Sequence, residues 1–124
     1  MKTPILETSR LWLKPLKEED APGAFLWTGD PKVSWYMRYE THESLEDTKQ
    51  WLREEEKKLE SGLLYDFGFH KKDSDELIGS GGLTFNQQQG IWELGCNLRR
   101  DCWNQGYGTE AAAAILSFAE NTLH

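Results

Sequence analysis

Trp103-Asn104-Gln105-Gly106-Tyr107-Gly108-Thr109-Glu110-Ala111 is the stretch on which the reading of this chain turns. Two glycines precede the run Ala111 to Ala114, and Ile115, Leu116 and Phe118 follow it. The composition predicts a strand giving way, through a turn bare of side chains, to a helix from about Thr109 to Asn121. The first N–H groups of a helix lack intrahelical partners and carry about half a positive charge. A glycine turn leading into them therefore suits an anion such as a pyrophosphate. The spacing Gly106-x-Gly108-x-x-Ala111 also fits a dinucleotide fingerprint. That motif requires a second parallel strand and an acidic residue about 20 positions on, and the sequence up to His124 offers neither. A Walker loop is excluded, because Thr109 and Glu110 stand where lysine is required. On spacing alone, a plain helix-capping turn stays open beside the phosphate seat.

Working outward, the order of elements follows from pattern. Leu6 to Leu16 alternates weakly and predicts a first strand ended near Pro15; Asp20 then caps a short helix with Pro22 in its first turn and Phe25, Leu26 and Trp27 on the buried side. Gly29-Asp30-Pro31 breaks it, and Val33 to Tyr39 is a loop or irregular helix. Ser44 to Gly62 is the clearest helix, with Ser44 and Asp47 forming a capping-box-like start and Gly62 at its end. Leu45, Trp51, Leu52 and Leu59 are expected inside, Glu54 and Lys58 pair on the wet face, and Glu54-Glu55-Glu56 is expected to be solvated surface. Tyr65–His70, Leu77–Phe85 and Ile91–Leu98 read as three strands in meander, turning at Lys71–Glu76 and Gln87–Gly90.

Composition bounds the function. The 124 residues form a single domain over 1–124, large enough to bury roughly 60 to 70% of its unfolded surface. The net charge of −7, from 21 acidic and 14 scattered basic side chains, argues against nucleic acid or an anionic membrane as partner and leaves basic polypeptides compatible. Cys96 and Cys102 fit neither a redox nor a zinc spacing and read as reduced thiols; no metal site is expected. No signal-peptide pattern and no run of 18 apolar residues occurs, so a cytoplasmic protein is the expectation.

The order of elements, together with the residues, resembles the GNAT acyltransferase superfamily, and within it the branch of ribosomal-protein N-terminal acetyltransferases. The resemblance covers essentially the whole chain. It is carried by Leu6-Glu7-Thr8-Ser9-Arg10-Leu11-Trp12-Leu13-Lys14-Pro15-Leu16, Asp20-Ala21, Asp30-Pro31-x-Val33, Tyr36-Met37, a Glu93-x-Gly95 step, and Trp103 to Ala111, where Trp103 opens the branch's form of the acetyl-CoA motif. The fold class it implies is α+β of three-layer type: a mainly antiparallel sheet of about four strands with three helices. The branch's strand, helix and hairpin beyond the last of these are not in this sequence.

The resemblance implies roles. Backbone groups of Gln105, Gly106, Tyr107, Gly108 and Thr109 would cradle the pyrophosphate of acetyl-CoA, and Asn97 and Leu98 would pair their main chain with the pantetheine and polarise the thioester carbonyl. Arg99 and Arg100 are either extra phosphate contacts or surface charge. Glu93 is the candidate base for a primary-amine acceptor, a protein N-terminus or a small amine; an α-amine, with a pKa of about 7.7 to 8, demands less of a base than lysine. A solvated carboxylate is the alternative for Glu93, and His42 and His70 are weaker candidates. Trp35, Tyr36 and Met37 are expected at the acceptor wall, with a place in the core as the alternative for the aromatics. The general acid is left unassigned. Ile115, Leu116, Phe118 and Leu123 are expected to risk exposure, and an open strand edge points to a homo-oligomer. A non-catalytic, self-associating relative is the alternative to an enzyme.

Overall fold

A computed structural model describes residues 3–35, 37 and 39–123. Five strands form one antiparallel sheet in chain order: β1 Leu6–Glu7, β2 Leu11–Pro15, β3 Leu64–Lys71, β4 Leu77–Asn86 and β5 Ile91–Leu98. The helices are α1 Ala21–Thr28, α2 Pro31–Ser34, α3 Leu45–Glu60 and α4 Tyr107–Phe118, the last followed by a wider turn over Ala119–Leu123. The sheet is thus the middle of three layers, with α1 and α3 on one face and α4 on the other. The fold class is as expected, with five strands for about four and four helices for three.

The extra strand has a long-range cause. One strand was expected over Leu6 to Leu16, but the chain bends at Thr8–Arg10 and doubles into the pair β1–β2. The bend is held by Glu110 of α4, whose carboxylate accepts from the Thr8 hydroxyl at 2.5 Å, the Arg10 N–H at 2.8 Å and Arg10 Nε at 2.8 Å. No local pattern announces a partner 100 residues away.

Alternation sorts the sheet's two faces. Leu11, Leu13, Tyr65, Phe67, Phe69, Ile78 and Leu83 meet Ala111, Ile115 and Phe118 of α4. Phe118 packs edge-on against Tyr65 and Phe67, with centroids 5.3 and 6.0 Å apart. Ile115 and Phe118 are therefore buried, against expectation; Leu116 is exposed as expected. On the opposite face, Leu16 and Ala21 pack with Leu52, and Ala24 and Trp27 with Val33.

Helix α3 begins at Ser44, whose Oγ accepts from the Asp47 N–H at 3.3 Å. Glu46 and Asp47 stand in its first turn and Lys57 and Lys58 in its last, each sign matched to the helix dipole. Its inward stripe runs through Thr48 and Leu52, while Leu45 is exposed. Glu54 takes a bond from Gln50, and Lys58 pairs with Glu55 at 3.9 Å. Glu55, expected in solvent, has a side chain only 13% exposed, because Asp66 on the sheet draws it in.

Candidate active site

The turn before α4 is built as its glycines dictate. Gly106 caps the helix at φ 82°, a left-handed conformation that costs L side chains about 1 kcal/mol or more, and a Cβ there would stand 3.3 Å from the Arg10 guanidinium. The Trp103 indole donates to the Leu98 carbonyl at 2.9 Å and ties the turn to the end of β5. Asn97, Leu98, Trp103 and Gly108 consequently line one trough of about 200 Å³, closed by Val33, Met37 and Cys96. Burial pushes the Cys96 thiol up to about 11, so it faces this trough un-ionised.

Arg10 is the residue at this turn that sequence reading left without a role. Its guanidinium lies 4.2 Å over the Tyr107 ring and donates to the Gln105 carbonyl at 3.0 Å, which brings a cation beside the helix start. Arg99 and Arg100, by contrast, are engaged elsewhere. Arg99 binds Glu76 at 2.7 Å and Asp101 at 2.5 Å, and Arg100 binds Asp30 at 3.0 Å. Arg99, with a side chain 15% exposed, and Arg100, with one 50% exposed, are thus held in ion pairs.

A second space, of about 180 Å³, opens on the α1/α3 face of the sheet. Register explains its floor: Ser80 opposes Asn97, Gly82 opposes Gly95 and Thr84 opposes Glu93, all on that face. Asn97 donates to the Ser80 carbonyl and Oγ, both at 3.1 Å, and accepts from the Tyr39 hydroxyl at 3.4 Å. Burial, followed by the charge of Asp30, pushes the Tyr39 phenol up to about 12, so it stays a donor at neutral pH. Asn97 and Met37 line the trough as well, so the two spaces adjoin there.

The cavity wall carries ionisable groups. Asp66, 7% exposed and hydrogen-bonded to Glu55, is held well above the usual carboxylate range by burial first and by Glu55 beside it second. His42 Nδ1 lies 2.8 Å from Thr48 Oγ1, which lies 2.9 Å from Thr28 Oγ1. Burial holds this imidazole below its ordinary value, against the charge of Asp47. His70, on the same face of β3, lies 3.8 Å from Asp75 at the turn and lines no part of the cavity.

Glu93 shares its face with Gly95 and Asn97 and accepts from Asn86 Nδ2 at 3.4 Å, but Thr84 and Gly95, not Glu93, line the cavity. Trp35 is 81% exposed, and the lining from its loop comes from Met37, Tyr39 and His42. Tyr36 lies outside the described residues. Among the described residues, no three metal-ligating side chains gather, and no helix is long and apolar enough to cross a membrane.

Residues 10–124 match the family model described as the acetyltransferase (GNAT) domain. The chain belongs to the GNAT acetyltransferase family. Among curated GNAT relatives it is similar to the uncharacterized N-acetyltransferase p20 of Bacillus licheniformis, 27% identical over 96% of this chain and 67% of that protein. It is also similar to the uncharacterized N-acetyltransferase YoaA of Bacillus subtilis, 26% identical over 97% and 68%. An acetyltransferase structure from Agrobacterium tumefaciens superposes with a TM-score of 0.78 at 25% identity, over 99% of this chain and 70% of that one. The same fold occurs in RimL, the ribosomal L7/L12 α-N-protein acetyltransferase solved with coenzyme A, at a TM-score of 0.77 and 16% identity over 96% and 70%. The chain thus spans about two thirds of the length of these GNAT proteins. The expected family and general chemistry, acetyl transfer, stand on these matches.

Proposed function

We propose that this chain is an acetyl-CoA-dependent N-acetyltransferase acting on a primary amine, either a protein N-terminus or a small amine. The observation that carries the reading is that Asn97 and Met37 line both the trough, which reaches Trp103 and Gly108 beside the α4 turn, and the polar cavity. One space suits a long donor and the other an acceptor. The residues fit acetyl-CoA: the glycine turn removes side chains from the helix start, first-turn N–H groups near Tyr107, Gly108 and Thr109 favour a pyrophosphate, and Arg10 adds a cation. Gln105 and Gly106 complete that cradle, and Asn97 and Leu98 would run beside the pantetheine.

When bound, acetyl-CoA supplies an acyl thioester whose carbonyl carbon is open to direct attack by an amine. The cavity residues would bring in that amine and strip its proton. The Glu55 carboxylate, turned inward beside Asp66, favours a cationic guest, and Glu93, which opposes cavity-lining Thr84 without lining the cavity itself, is the proposed base. Met37 and Tyr39 would form the acceptor wall, with exposed Trp35 meeting a longer acceptor such as a basic protein N-terminus. Incubation with acetyl-CoA and either a basic peptide or a small amine, read by mass spectrometry, tests the reading. A gain of one acetyl group on either acceptor supports it, and binding without transfer favours a non-catalytic relative.

We also propose that the protein is cytoplasmic and self-associates. The long edge strand β5 exposes Ile91 and Leu94, and unpaired strand edges of this kind attract a second copy.

A further inference from the structure

Thr28 ends α1 and Thr48 stands in the first turns of α3; they are 2% and 0% exposed, and their hydroxyl oxygens are 2.9 Å apart. Thr48 Oγ1 is also 2.8 Å from His42 Nδ1, and the His42 backbone N–H donates to the Thr28 carbonyl at 2.9 Å. A hydroxyl carries one hydrogen, and a buried hydrogen without an acceptor is costly. Among the described residues, Thr48 Oγ1 is the one hydrogen-bond partner of the Thr28 hydroxyl, and with Thr28 as the donor its hydrogen points there. Thr48 therefore accepts from Thr28 and donates its own hydrogen to Nδ1. A ring nitrogen that accepts is unprotonated, so the neutral imidazole carries its hydrogen on Nε2.

The His42 ring lines the cavity, and with Nδ1 turned to the buried threonines, Nε2 is its remaining hydrogen-bonding atom there. The ring is flanked by Tyr39 and Trp51, with centroids 5.8 and 6.1 Å away. We infer that His42 is a positioning residue for the acceptor: its Nε2–H donates to an oxygen that the acceptor carries besides its reacting amine. The cavity then prefers amines bearing a carbonyl or similar oxygen over plain alkylamines. This rests on the cavity being the acceptor seat.

The surroundings agree with a neutral donor. Among the described residues, Asp47 on α3 acts on the ring by its charge, Tyr39 on its own loop packs against it, and Glu55 on α3 and Asp66 on β3 line the same cavity. Burial outweighs the pull of Asp47 and keeps the ring below its usual value. Protonating Nδ1 would also force both threonines to turn over and leave the Thr28 hydrogen without an acceptor. A neutral ring does not repel an incoming ammonium.

Nitrogen NMR of the imidazoles at pH 7.5, with His42 assigned by its absence in His42→Gln, reads the tautomer directly. The Nε2-protonated pattern is expected in the wild type, and Thr48→Val should lose it; an Nδ1-protonated pattern would overturn the inference. In turnover, the kcat/KM ratio for alanine amide over sec-butylamine should fall about ten-fold in Thr48→Val and in His42→Phe, while Thr48→Ser, which keeps the hydroxyl, should hold it. Transfer with an unmoved ratio defeats this inference alone. A chain that binds no acetyl-CoA defeats the functional reading and takes this one with it.

Discussion

Asp66 and His42 face one cavity and bias the fold with opposite dependence on pH. The Asp66 carboxyl is raised in the folded protein, so its contribution is complete below the unfolded value of about 3.9 and is lost as pH rises through the folded value. Asp66→Asn, which cannot ionise and still donates, should raise Tm relative to wild type at pH 8 more than at pH 5. An equal shift at both would contradict the burial of an ionising group. The His42 imidazole is lowered, so the unfolded chain binds its proton more readily, and stability should fall as pH drops below about 6.5. His42→Gln should flatten that acid limb in a melting series, and an unchanged limb would assign the slope elsewhere. Glu93→Gln should reduce turnover chiefly at low pH, where the amine most needs a base; an unaltered pH–rate curve would remove Glu93 from that role. Sequence reading reached the turn whose conformation is fixed by local pattern, above all Gly106 at the start of α4. It missed Arg10, Glu55 and Asp66 because their partners come from elsewhere in the chain: Glu110 and Tyr107 for Arg10, and one another for the two acids. His42 had no visible partner in sequence, since Thr28 and Thr48 reach it only once α1 and α3 pack.

Helix α3 carries the wall of the cavity, and its placement rests on one cap and one stripe. Ser44→Ala removes the acceptor for the Asp47 N–H and should cost about 0.5–2 kcal/mol in denaturant unfolding; no measurable loss would mean that the cap is replaced by solvent. Leu52, 1% exposed against Leu16 and Ala21, should cost about 2–5 kcal/mol when cut to alanine. A loss below 1 kcal/mol would contradict the close packing of α3 on the sheet. The helix was legible from Ser44 onward because its cap and charge order are local. Its inward face was less so, since Thr48 is buried by its bonds to Thr28 and His42 while Leu45, more apolar, is left outside. The strand Ile91–Leu98 was legible to the residue because alternation and flanking turns agree. The first strand was not, because its break is made by Glu110.

At the scale of the molecule, three layers place a glycine turn and a polar cavity of about 180 Å³ beside the end of one strand, and acetyl transfer is the chemistry of the family. The exposed edge of β5 bears on assembly. Solution mass at micromolar concentration should exceed that of one copy, and Leu94→Lys should return it to 14.3 kDa; a wild-type mass of one copy would contradict self-association. Calorimetric titration of the wild type and of Gly106→Glu with acetyl-CoA bears most directly on the seat at the start of α4. Saturable heat in the wild type, lost in a variant that keeps its thermal transition, is the expected result. No heat in the wild type, or equal affinity in both proteins, would show that the turn before α4 does not hold the pyrophosphate.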